Sequence, residues 1–152
     1  MKVLFVCTGN TCRSSMAAAL ARRLLEDCEG GRGIRVFSAG VAAFPGDRAS
    51  PEAVEALVGM GIDLSGHRAS LLTADDVGRA DLILAMTGDH LQHIKALFPG
   101  ASGKAFTLAE YAGAFGDVPD PFRQSLAVYR RCAKRLEELV ACVVDRLCKS
   151  GS

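Results

Sequence analysis

The sequence predicts an α/β fold in which a doubly wound, four-stranded parallel sheet is flanked by helices, all within one domain spanning residues 1–152. Three observations predict it. Short apolar, β-branched runs alternate with segments of helical periodicity, the order of strand, helix and strand that produces parallel sheets. The first run ends in a turn cluster, Thr8-Gly9-Asn10, that leads directly into a helical pattern. A chain of 152 residues, 49% hydrophobic and 23% charged, is long and apolar enough to bury a core between layers.

The elements follow in order. Lys2 to Val6 read as a buried strand. A helix starts at about Ser14, with Ser14 and Ser15 as capping residues; Met16, Leu20 and Leu24 line one face opposite Arg22, Arg23 and Glu26, and Gly30-Gly31 stop it. Ile34 to Ser38 form the second strand, closed by Ala39-Gly40, and a loop through Pro45-Gly46 leads to a helix with Pro51 in its first turn. The alternation then repeats, with Leu82 to Met86 as strand, Asp89 to Phe98 as helix and Ala105 to Leu108 as a short strand. From about Arg123 to Lys149, the residues Tyr129, Cys132, Leu136, Leu139, Val143 and Leu147 step by three or four and define one apolar face of a long covering helix.

Composition narrows the function. Eighteen Lys+Arg against seventeen Asp+Glu leave a net charge of +1, so no global field attracts nucleic acid or an anionic membrane. No apolar run reaches the ~18 residues of a membrane span. We therefore expect a cytoplasmic monomer with neither nucleic-acid nor membrane partners, binding any anion locally. Six cysteines without a CxxC pair argue against a disulfide scaffold and structural zinc, and no metal or cofactor is expected. His67, His90 and His93 lack a Glu or Cys to complete a metal set and read as surface or loop residues, while Cys28, Cys132, Cys142 and Cys148 read as helical thiols without function. Gly30 to Gly33 follow no strand and form a turn rather than a nucleotide loop.

Open parallel sheets bind ligands beyond the carboxyl ends of their strands, and the first such exit is Cys7-Thr8-Gly9-Asn10-Thr11-Cys12-Arg13-Ser14. A loop of this length running into a helix can turn its backbone N–H groups toward one point, where the helix N-terminus adds positive partial charge. Gly9 and Asn10 most readily take the positive φ that such a curl requires, and Arg13 offers a planar fork matched to two phosphate oxygens. The result is a phosphate-binding loop after the first strand. Cys7 opens the loop below the ring of donors, an environment that favours the nucleophilic thiolate, and the Ser14 hydroxyl can donate to its sulfur.

The run CTGNTCRS after a buried strand resembles the phosphate-binding loop, C-x5-R-S, of the low-molecular-weight protein tyrosine phosphatase family. Further matches span essentially the whole chain: Ser38-Ala39-Gly40, Gly61-Ile62-Asp63-Leu64-Ser65, His67-Arg68-Ala69, Met86-Thr87 and Val118-Pro119-Asp120-Pro121-Phe122. The resemblance implies Cys7 as nucleophile, Arg13 and the loop residues Thr8, Gly9, Asn10, Thr11, Cys12 and Ser14 as the phosphate cradle, and phosphorylated proteins as substrates. Asp120, stiffened by Pro119 and Pro121, becomes the general acid of a first step and the base of a second that hydrolyses a phosphocysteine, with Phe122 in the substrate wall. Cys12 is a candidate redox partner of Cys7.

Thr11 speaks to the substrate. Tyrosine-directed members of the family usually carry Ile or Leu there, whereas the protein arginine phosphatase branch carries Thr, and a smaller polar side chain suits a planar, donor-rich guanidinium better than a phenyl ring. Phe122-Arg123, where many tyrosine phosphatases place two aromatics, points the same way. The expected activity is thus hydrolysis of phosphoarginine in proteins, with phosphotyrosine as the alternative. Arsenate reduction on the same fold needs two further cysteines near residues 80–90, and Arg79 to His90 contains none; a non-catalytic phosphate-binding module is the remaining alternative. Ser15 departs from the family, which most often has Pro there, and should lower the preorganisation of the first helical turn.

Overall fold

The apolar runs form strands because both their faces are covered. In the computed structural model, which describes residues 1–150, β1 (Lys2–Cys7), β2 (Arg35–Gly40), β3 (Leu82–Ala85) and β4 (Ala105–Thr107) pair in parallel in the order β2-β1-β3-β4. Val3 and Phe5 enter one apolar core and Leu4 and Val6 the other, as the two-residue period of a strand demands. A strand covered on both faces needs no polar alternation, which is why Val3 to Val6 are uniformly apolar.

The described helices are α1 (Arg13–Glu26), α2 (Pro51–Val58), α3 (Ala74–Arg79), α4 (Gly88–Leu97), α5 (Leu108–Tyr111) and α6 (Leu126–Ser150). Residues of α1, α2, α5 and α6 share the core containing Phe5, and those of α3 and α4 share the core containing Val6. The connection from β1 to β2 therefore crosses one face and that from β3 to β4 the other. Between β1 and β3 the winding reverses, and the crevice at their carboxyl ends is where such sheets bind ligands. The apolar stripe on α6 faces the core as its spacing requires, with Tyr129, Cys132, Leu136, Leu139, Val143 and Leu147 all buried.

Several boundaries differ from the sequence reading. The last helix starts at Leu126 rather than Arg123, because Arg123 adopts φ 63° and Gln124 N–H bonds the Pro121 carbonyl in a turn. The first helix ends at Glu26, where Cys28 N–H bonds back to Leu25 O and turns the chain ahead of the glycine pair. The second strand runs Arg35–Gly40 and takes in the Ala39-Gly40 pair read as its stop. Ser14 and Ser15 lie inside the first turn of α1 instead of capping it; Cys12 holds the cap position and supplies no side-chain hydrogen bond. Helices α3 and α5 were not expected, and both start on a threonine whose hydroxyl accepts from the third helical N–H, Thr73 from Asp76 and Thr107 from Glu110.

The cysteine reading also needs correction. Cys28 lies beyond the end of α1 and forms a disulfide with Cys148 on α6, while Cys7, Cys12, Cys132 and Cys142 are free. The turn at Gly30 brings this corner against Cys148, whose carbonyl oxygen lies 3.3 Å from the position a Cβ at Gly30 would take. Among the described residues no helix is long and apolar enough to cross a membrane.

Candidate active site

The crevice between β1 and β3 opens into a cleft of about 250 Å³ lined by Cys7 to Arg13, Ala42, Phe44, Asp47, Asp120 and Phe122. Every residue singled out in the sequence except Ser14 lines this cleft, and Ser14 lies directly behind Cys7, its Oγ 2.8 Å from Cys7 Sγ. The cradle is held by Asn10, which is fully buried and adopts φ 58°. That left-handed conformation is unfavourable for most L-residues, and here four hydrogen bonds stabilise it. Asn10 N–H donates to Cys7 Sγ at 3.3 Å, its carbonyl accepts from His67 Nε2 at 2.6 Å, its Oδ1 accepts from Ser70 N–H at 2.9 Å, and its Nδ2 donates to Ser14 Oγ at 2.8 Å.

These bonds fix the orientation of the Asn10 amide. A backbone N–H can only donate, so Ser70 fixes the Asn10 side-chain oxygen on its own side and turns the amide NH2 toward Ser14. Ser14 Oγ accepts that bond and can turn its single hydroxyl proton toward Cys7 Sγ, 2.8 Å away. The sulfur thus lies within reach of two donors, the Asn10 N–H and the Ser14 hydroxyl.

Arg13 is almost fully buried and binds the cradle to a second loop: Nη1 donates to Val118 O at 3.0 Å and Nη2 lies 3.5 Å from Asp120 Oδ2. That loop is fixed at several points. Val118 N–H donates to Met86 O at the end of β3, Asp117 Oδ1 accepts from Gly88 N–H at the start of α4, and Asp120 Oδ1 accepts from Phe122 N–H in a local turn. Asp120 itself is half exposed, so its carboxyl faces the cleft from a braced backbone. With no side chain capping α1, the first N–H groups of the helix are available to an anion. Ser15 Oγ instead donates to Cys12 O at 2.9 Å, which satisfies a buried hydroxyl where the family most often has Pro.

Two histidines missed in the sequence belong to the frame. His90 is buried rather than at the surface, its Nε2 lying 2.8 Å from Thr8 Oγ1, and His67 is half-buried against Asn10. Burial lowers the pKa of both, and the charge of Arg13 lowers that of His90 further. For His67 the family match His67-Arg68-Ala69 was the available signal. Cys12 Sγ packs behind the cradle, 3.0 Å from Ser50 Oγ and 3.4 Å from Tyr129 OH. Burial pushes the nearby Cys132 thiol up to about 12, which keeps it protonated.

A thiol within reach of two donors, a buried guanidinium, a free helix N-terminus and a carboxyl across the cleft can bind a tetrahedral oxyanion and displace a group from it. Comparison with known proteins agrees in detail. The family model for low molecular weight phosphotyrosine protein phosphatase matches residues 2–152. The protein-arginine-phosphatase of Bacillus subtilis (strain 168) is 46% identical over 150 residues, covering 98% of each chain. The probable low molecular weight protein-tyrosine-phosphatase EpsP of Ralstonia nicotianae is 41% identical over 145 residues, 95% of this chain and 94% of that one. A solved structure of the YwlE arginine phosphatase, a C7S mutant with phosphorylated active site serine, superposes with a TM-score of 0.92 at 45% identity, covering 97% of this chain and 95% of the other. Agreement of fold, full-length sequence and cleft makes this chain a protein phosphatase belonging to the low molecular weight phosphotyrosine protein phosphatase family.

Proposed function

We propose that the protein hydrolyses phosphoarginine side chains in proteins through a phosphocysteine at Cys7. In the first step Cys7 Sγ attacks phosphorus in line with the leaving nitrogen; the S–P bond forms, the P–N bond breaks, and Asp120 gives its proton to the departing guanidino nitrogen. In the second, water attacks phosphorus, Asp120 takes its proton, the S–P bond breaks and phosphate leaves. The backbone N–H groups of Thr8 to Ser14 and the Arg13 guanidinium stabilise the equatorial oxygens, whose charge they meet more closely in the transition state than in the ester or amide.

The observation that carries the arginine reading is Thr11, a short hydroxyl side chain in the wall of the cleft beside the thiol. Support comes from the relatives: the B. subtilis and YwlE proteins bear the arginine-phosphatase name. Phosphotyrosine remains the second reading because Phe44 and Phe122 flank the same cleft as exposed aromatic walls that would also hold a ring. We further take the enzyme to act as a cytoplasmic monomer without nucleic-acid or membrane partners, consistent with its balanced charge. The test measures kcat/KM on phosphoarginine and phosphotyrosine peptides of one sequence. Wild type should prefer phosphoarginine, Cys7→Ser should abolish turnover of both, and Thr11→Ile should shift the ratio toward phosphotyrosine by about 10–200-fold, the range for one altered pocket contact. Wild-type preference for phosphotyrosine would replace the first reading by the second.

A further inference from the structure

Among the described residues, Asp47 is the one carboxylate lining the cleft that the reaction above does not use. We propose that its carboxylate is a specificity determinant that selects substrates whose phosphoryl group is attached to a cation; the proposal rests on the phosphoarginine reading and deepens it.

Asp47 N–H bonds Phe44 O, its carbonyl accepts from Ala69 N–H, and Gly46, at φ 91°, donates to Ala69 O, so the turn bearing it is pinned on both sides. The next residues form a bridge between Arg48 and Arg68, and Ser50 N–H donates to Thr11 O inside the cradle. The exposed side chain of Asp47 is thus mounted on backbone tied to the loop that holds the phosphate.

Among the described residues the Asp47 carboxylate has no ion pair or hydrogen bond, whereas Arg13 is already shared between Val118, Asp120 and the phosphoryl oxygens. Arg123 lies over the Phe122 ring, 5.3 Å from its centroid, and does not line the cleft. At the mouth, beyond the cradle, Asp47 is therefore a carboxylate without an ion-pair partner among the described residues. Toward phosphotyrosine, a dianion on a neutral ring, it can only repel. Toward phosphoarginine it meets the guanidinium that stands between it and the phosphate.

The experiment is kcat/KM for phosphoarginine and phosphotyrosine peptides with wild type, Asp47→Asn and Asp47→Lys, at low and high salt. Asp47→Asn should lower the phosphoarginine value and raise the phosphotyrosine value, each by about two- to fivefold, the scale of an exposed charge pair. Asp47→Lys should move both further in the same directions, and salt should shrink every difference because the residue is exposed. Opposite signs distinguish recognition from a structural role, which would move both substrates together. If wild type prefers phosphoarginine and both values change by one factor in either variant, Asp47 is not the selector although the arginine reading stands. If wild type fails on phosphoarginine, the arginine reading and this inference fall together.

Discussion

Adding one methyl group at Gly40 should disable the cradle without replacing any residue of the proposed chemistry. Gly40 ends β2 beside the loop, and a Cβ there would overlap the Thr8 carbonyl oxygen while coming 3.0 Å from both Asn10 N and Ala43 Cβ. Nothing nearby can yield cheaply. Thr8 O is held by Ala42 N–H at 3.0 Å, and Asn10 is fixed by its four hydrogen bonds. Gly40 does not adopt a positive φ, so the penalty of Gly40→Ala is overpacking alone, ~1–3 kcal/mol. At about 2–4 °C per kcal/mol for a chain of this size, Tm should fall by ~2–12 °C. The larger effect is functional, because the overlap is relieved only by moving Thr8 and Asn10 away from the sulfur. Misplacement approaching ~1 Å lowers rates by up to ~100-fold, so kcat/KM on p-nitrophenyl phosphate should drop about 10–100-fold and inhibition by inorganic phosphate should weaken. Gly66→Ala serves as control, since a Cβ there meets nothing within 4 Å. A Gly40→Ala protein with Tm within ~1 °C of wild type and unchanged kcat/KM would refute the packing argument.

Arg13→Lys keeps the charge but loses the fork that reaches Val118 and two phosphoryl oxygens; loss of two charge-assisted bonds at ~1.5–3 kcal/mol each should lower kcat/KM by about 10²–10⁴-fold, and a loss under tenfold would remove Arg13 from the proposed role. Asp120→Asn should slow phosphotyrosine hydrolysis much more than that of p-nitrophenyl phosphate, whose better leaving group needs less protonation; equal slowing in steady-state assays would point to a structural role for Asp120. Burial holds His67 and His90 below the usual histidine range, so between their folded and unfolded pKa values the unfolded chain binds more protons. Their contribution to stability is present above the unfolded value near 6.5 and is lost as pH falls below it. Tm should therefore drop between pH 7.5 and 5.5, and His90→Gln should flatten that drop; a His90→Gln profile parallel to wild type would exclude His90 as a source.

The parts of the site legible in sequence were those whose chemistry is local. Cys7 at a strand end, Asn10 with its tolerance of positive φ and Arg13 at a helix start each follow from residue type and spacing, and the structure brings them to one cleft. The roles of His67 and His90 were not legible because their partners, Asn10 and Thr8, lie 57 and 82 residues away, although His67 falls within the family match His67-Arg68-Ala69. Gly40 was visible as a family match, but the reason for a glycine there is the approach of another segment's carbonyl. The Cys28–Cys148 pairing spans 120 residues and left no spacing to read. Helix α3 was missed because a single buried residue, Val77, gives no periodicity, although Thr73 and Asp76 do form a capping box.

The bracing of residues 117–122 has a consequence for how such an enzyme can be selective. Val118 is gripped from one side by the end of β3 and from the other by Arg13, and Asp117 is tied to α4, so the proposed proton donor shares a rigid mount with the anion cradle. Enzymes that close a lid can use the closing step to reject poor substrates, spending binding energy on assembly of the site. In a site assembled before the substrate arrives, that checkpoint is missing. Any phosphoryl compound that reaches the thiol already faces a complete catalytic set, so discrimination falls on the entrance, on the shape and charge presented by Thr11, Phe44, Asp47 and Phe122. Substrate preference in this fold can then change by replacing rim residues singly, with the catalytic frame left as it is.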